Sequence, residues 1–255
     1  MSTRAALAAF TVALASASLL LATPSTAHAD DSTAVIDKAI QALGGEANLA
    51  KVKAASWKSK NKIVFNGNEN TGTGAVAFQG LDHYRQEFEG DFNGNHFKAV
   101  TLLNGDKGSR HFGDNNQDLD KEGLANAKRT VYLAVVPVTI LPLKDKQFKV
   151  ESIPDETVNG KPQAGVKVTA PDGKDFKLYF DKETGLPARL VAKVAGFMGD
   201  EFTQETSFSD YKEVGGIKKA MKTVSKRNGE PFREEQITEF TVVEKVDPKT
   251  FTDAG

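Results

Sequence analysis

The chain has 255 residues, no cysteine and a formal net charge of -1, with 33 Lys and Arg mixed among 34 Asp and Glu. The lack of cysteine excludes disulfides, thiol nucleophiles, Cys-based metal sites and an acylated N-terminal cysteine. The even mixing of charge leaves no basic block of the kind that tracks a phosphate backbone, so nucleic acid is not an expected partner.

Residues 1–29 read as a cleaved secretory signal peptide. Arg4 is the single early positive charge, an apolar stretch of small and aliphatic residues follows, Pro24 breaks it, and Ala27-His28-Ala29 fits a small-x-small cleavage site. A membrane anchor is the weaker reading, because the strongly apolar part is short and has no stop-transfer pattern. Residues 30–255 then form the mature chain, expected as a single domain.

The mature start is helical. In "STAVIDKAIQALGG" Ser32 or Thr33 is placed to cap, Val35, Ile36, Ala39, Ile40 and Leu43 form one apolar stripe, and Gly44-Gly45 stops the helix. "EANLAKVKA" reads as a second short helix. From residue 55 the period changes to two: Trp57, Ile63 and Phe65 share a parity that opposes Lys58, Lys60 and Lys62. Short extended runs follow, separated by turns at Asn66-Gly67 and Asn93-Gly94.

Residues 117–143 show no alternation. Asp118 or Asp120 is placed to begin a helix, and 131–143 is uncharged but interrupted by Pro137 and Pro142. The prolines predict two short helical pieces with a kink or loop between them. "GDNNQD" (113–118) reads as a solvated loop. Strands resume after 143, with turns at Asn159-Gly160, Asp172-Gly173 and Asn228-Gly229; "LYFDKETGLPARL" (178–190) is one strand-turn-strand unit. Together these make about 11–12 strands joined mostly by short turns, an antiparallel meander in a mainly β protein with a few helices. Such a sheet needs its apolar face covered, either by closing into a barrel or by curling around the helices, which would leave a concave apolar pocket.

No catalytic constellation emerges. There is no G-x-S-x-G elbow, and neighbouring carboxylates such as Glu234-Glu235 point to opposite faces of a strand. His83, His96 and His111 lie on successive strands, but hairpin register sets His83 against Asn104, His96 against Asp91 and Asn115, and His111 against Thr101 or Leu102. No metal site, cofactor or enzyme activity is therefore expected. The interleaved Lys and Glu of 214–236 read as a solvated sheet face or a docking surface.

The segments "ALGGEANLAKVKAASWKSK", "TILPLKDKQFKV", "VNGKPQAGVKV", "LYFDKETGLPARL", "SDYKEVGGIKKAMKT" and "NGEPFREEQITEFTVVEKVDPKTF" occur in this order. The chain in this respect resembles the LolA/LolB-like superfamily of periplasmic outer-membrane lipoprotein carriers. The resemblance implies a single large curved antiparallel sheet, an open half-barrel wrapped around helices. It also implies a periplasmic protein holding a lipid or lipoprotein acyl chains, with transient membrane contact and an envelope protein as donor or acceptor. Segment 131–143 would be lining or lid. On this reading the cavity is lined by Trp57, Ile63, Phe65, Phe88, Val131, Leu133, Val136, Ile140, Leu141 and Phe180. A non-catalytic sensing domain that binds an envelope protein is the alternative.

Overall fold

The computed structural model describes residues 31–65, 67–92, 94–196 and 200–254, without the side chains of Phe65 and Phe92. The expected signal peptide, 1–29, lies outside the described residues.

Helix α1 (Ser32–Leu43) buries the whole expected stripe, Val35, Ile36, Ala39, Ile40 and Leu43. Its cap is Asp31, not Ser32 or Thr33: the Asp31 carboxylate accepts from the Thr33 N–H at 2.7 Å. At the other end Gly44 has φ 131°, and a Cβ there would stand 2.4 Å from the Gly216 carbonyl oxygen. Only glycine lets the end of α1 press onto that turn. The short helix α2 (Glu46–Leu49) follows and buries Leu49.

The first meander comprises β1 (Ala54–Phe65), β2 (Asn68–Gln79), β3 (His83–Phe92), β4 (Asn95–Asn104), β5 (Lys107–Phe112) and β6 (Asn115–Asp118). After helix α3 (Lys121–Thr139) and a 3₁₀ turn (Leu141–Lys144), the second runs through β7 (Lys149–Val158), β8 (Lys161–Thr169), β9 (Asp175–Asp181), β10 (Pro187–Ala195), β11 (Glu201–Val214), β12 (Ile217–Arg227) and β13 (Glu230–Val243). A 3₁₀ turn at Pro248–Phe251 buries Phe251. All pairing is antiparallel, in one 13-stranded sheet ordered β6-β5-β4-β3-β2-β1-β13-β12-β11-β10-β9-β8-β7. The two meanders are thus joined along the β1–β13 seam. The sheet stays open, with β6 and β7 as its edges, and α3 carries the chain from one edge to the other.

The turn chemistry follows the residues. Asn159-Gly160 and Asn228-Gly229 both have positive φ at both positions, as two-residue hairpins with a type I′ turn require. Between β9 and β10 the Asp181 carboxylate accepts from the Glu183 and Thr184 N–H groups at 3.0 and 2.8 Å. The bond from the Thr184 backbone, more than any other influence, holds the Asp181 carboxyl below its usual range.

Three local readings change. Residues 115–118 form β6, an exposed four-residue edge strand whose all-polar sequence gives no alternation to read. Asp120, one of the two residues expected to begin the helix, does cap α3 by accepting from the Gly123 N–H at 2.7 Å. The helix runs through Pro137 and ends at Ile140, which takes a left-handed conformation (φ 60°) between the two prolines. In the β4–β5 hairpin, His111 opposes Val100, not Thr101 or Leu102, and among the described residues His96 has its register partner in Asp91 and none on the β5 side. Among the described residues no group of three or more His, Cys, Asp or Glu is placed to hold a metal ion.

The core lies on the concave side. There Val131, Val135, Val136 and Val138 of α3 and the α1 stripe meet Phe78, Tyr84, Leu103, Phe176, Leu178, Leu190, Ile237 and Phe240 from both meanders. The outer face carries ion pairs such as Lys58–Glu239 (3.0 Å), Lys62–Glu69 (3.1 Å) and Lys222–Glu234 (2.7 Å). No described helix is long and apolar enough to cross a membrane.

Candidate functional site on the concave face

Strand alternation fixes what faces the hollow. In β1–β5, cross-strand register gives successive inward rows. The row Ala55, Phe78, Tyr84, Leu103 is buried against the helices. The next row, Val76, Gln86, Thr101, Arg110, turns polar. Beyond it come Gly74, Phe88, Ala99 and Phe112, and then Gly72, Gly90 and Phe97.

These outer rows build an aromatic ladder. Phe88 and Phe97 stack with ring centroids 5.5 Å apart, and Phe97 and Phe112 stand 5.3 Å apart. The Phe88 ring lies on bare backbone: a Cβ at Gly72 would stand 2.6 Å from its Cζ. None of the three rings belongs to the core around α1 and α3, and Phe112 is 41% exposed. Among the described residues, the helices therefore cover one part of the concave face and not the aromatic part.

Between the two parts, α3 and the sheet enclose a cleft of about 290 Å³. Gln86, Thr101 and Arg110 form one wall, Ala127 and Leu133 the helix side, and Val194 part of the opposite wall. A larger open cleft, about 780 Å³, lies at the other end of the hollow between Val52, Leu81, Val135 and Pro142.

On the β12–β13 side the concave face is polar. The Arg233 side chain donates to Asn61 Oδ1 (2.8 Å) and to Glu235 (3.1 Å), and Asn61 donates to Ser59 (3.1 Å). Burial pushes the Glu235 carboxyl up, but Arg233 and Ser59 more than cancel it and hold it below its usual range. Lys219 is 7% exposed, with its ammonium over the rings of Trp57 (5.3 Å) and Phe240 (5.8 Å). Burial pushes its pKa down to about 8, against a smaller opposing pull from Glu235.

That depression sets the sign of a pH effect. Between pH 8 and 10.5 the folded lysine has lost its proton while the unfolded one retains it. The unfolded state then binds more protons, so stability rises with pH across this window, on the order of 3 kcal/mol for this one group. Urea unfolding at stepped pH is expected to show this rise, and Lys219→Met to flatten it; an unchanged slope in the variant would assign the rise elsewhere.

The expected lining residues do not stay together. Trp57, Val131, Val136, Ile140 and Phe180 are packed into the core. Leu133 lines the α3 cleft, Leu141 is half-buried against the core, and Ile63 is half-buried opposite Arg233. Phe88 joins the aromatic ladder, and the side chain of Phe65 lies outside the described part. Sequence reasoning missed Phe97, Phe112 and Arg110. The turn at Asn93-Gly94 holds the signal for the first: it sets Phe97 opposite Gly90, on the same face as Phe88.

No family model matches the chain, and no curated protein matches it. Solved structures do. The LolA superfamily protein NE2245 from Nitrosomonas europaea aligns over 88% of this chain and 99% of its own, with a TM-score of 0.57 and 7% identity. A DUF1329 family protein from Desulfovibrio piger covers 87% and 97%, at 0.55 and 14%. A domain assigned as an outer membrane lipoprotein-sorting protein from Vibrio parahaemolyticus covers 85% and 97%, at 0.52 and 10%. The chain therefore has the LolA-like fold, an open antiparallel sheet curved around helices.

Proposed function

We propose that this protein is an exported, periplasmic carrier that holds the acyl chains of a lipid or lipoprotein against the open part of its concave face. One observation carries the reading: the Phe88–Phe97–Phe112 ladder faces the hollow, stands outside the core and ends in an exposed ring. Exposed aromatic surface within a concavity is where apolar ligands bind. The fold adds support, because a structure sharing it is assigned to lipoprotein sorting. Export follows from the reading of 1–29 as a signal peptide. The role is binding, with transient membrane contact when cargo is exchanged with a donor or acceptor.

Acyl binding has a graded signature. Each buried methylene contributes roughly 0.8 kcal/mol, so lengthening a ligand by two methylenes is expected to tighten binding by about tenfold. Displacement of a fluorescent fatty acid by saturated acyl chains of increasing length reads this directly. Affinity independent of chain length would contradict the proposal.

A further inference from the structure

The concave face concentrates cations that the chain as a whole does not have in excess. Among the described residues, the ionisable side chains that the sheet's register turns inward on β5, β12 and β13 are Arg110, Lys219, Arg227, Glu230, Arg233 and Glu235. That is two carboxylates against four cations, in a chain of formal net charge -1, and Glu230 is exposed at the end of its hairpin. Glu235 is engaged by Arg233.

The other arginines differ in what they already satisfy. Arg227 lies over the rings of Phe232 (3.6 Å) and Phe202 (5.2 Å) and donates its Nε–H to Gln204, but has no carboxylate partner among the described residues. Arg110 makes no hydrogen bond, ion pair or ring contact among the described residues. It is half-buried in the wall of the 290 Å³ cleft, beside Gln86 and Thr101, and opposes Thr101 across the sheet. On the same strand, two residues on, Phe112 ends the aromatic ladder. A guanidinium partly withdrawn from water without an acceptor is a costly arrangement, and a ligand oxyanion relieves it. The carboxylates of Asp120 and Glu122 stand at the cleft but are exposed, and Asp120 is occupied in capping α3.

We propose that the cleft selects amphiphiles with an anionic, phosphate-type head group: Arg110 receives the oxyanion while the hydrocarbon runs along Phe112, Phe97 and Phe88. This rests on the carrier reading above and names the class of cargo.

The test compares dodecyl phosphate, dodecyl maltoside and inorganic phosphate by titration calorimetry, below micelle formation and at one ionic strength. Dodecyl phosphate is expected to bind at least roughly tenfold more tightly than dodecyl maltoside, the scale of one charge-assisted hydrogen-bonded pair. Arg110→Gln is expected to remove most of that preference, and Arg110→Lys to keep part of it. Because Arg110 holds nothing in place among the described residues, both variants should keep the parent melting temperature. Equal binding of the two detergents would overturn the head-group proposal and leave the carrier reading standing. Binding of neither would overturn both. Inorganic phosphate bound as tightly as dodecyl phosphate would overturn the amphiphile form, since the chain would then add nothing.

Discussion

Replacing Arg129 with methionine is expected to destabilise the protein by about 3–5 kcal/mol, the usual cost of breaking a buried charged pair from one side. Arg129 sits on α3 with its side chain 5% exposed. Its guanidinium donates to the backbone carbonyls of Lys174 and Asp175, stands 3.8 Å from Asp172, and lies over the Phe176 ring at 5.6 Å. It is thus the polar anchor between the helix that spans the hollow and the β8–β9 turn. Methionine keeps much of the volume but leaves the two carbonyls and the Asp172 carboxylate facing an apolar side chain. Urea unfolding measures the loss. A change below about 1 kcal/mol would show that water reaches these groups and that α3 is held by its valines alone.

The second large effect falls on binding. Phe97→Asp and Phe112→Asp each remove a ring from the ladder and put a carboxylate on the path assigned to hydrocarbon. Loss of one ring's burial is worth about 1.5–3 kcal/mol, so acyl affinity is expected to fall by at least about tenfold in each variant, and further where the charge meets the chain. Neither ring belongs to the core, and Phe112 is exposed, so cooperative unfolding should persist. The fluorescent fatty-acid titration checks the affinity and circular dichroism the fold. Full affinity in a folded Phe112→Asp variant would move the acyl site away from the ladder, toward the larger cleft beside Val52 and Pro142.

Much of this architecture is legible in the residues because its causes are local. The α1 stripe, the Asn159-Gly160 and Asn228-Gly229 hairpins and the alternation of β9 and β10 each depend on a few neighbours in sequence, and the structure reproduces them; Asn66 and Asn93 of the other two expected turns lie outside the described residues. The β6 strand is not legible: Asn115–Asp118 is all polar and pairs only because β5 lies beside it. Nor is the end of α3, since Ile140 is a poor choice for a left-handed residue and holds it only inside a packed core. The candidate site was half legible. Phe88 was singled out by parity, yet its partners Phe97 and Phe112 come from the next two strands, and joining them requires the register of two hairpins at once. The valines of α3 are as apolar in sequence as any lining residue. Only the helix's placement shows that they fill the core.

The central claim is that the open concave face carries acyl chains, and native mass spectrometry of the protein, purified without detergent from the cells that make it, tests it most directly. The account predicts a bound species of defined mass that yields acyl chains on extraction and is lost or sharply reduced in Phe112→Asp. A protein that arrives empty, and stays empty after incubation with phospholipids and lipopeptides, would contradict it.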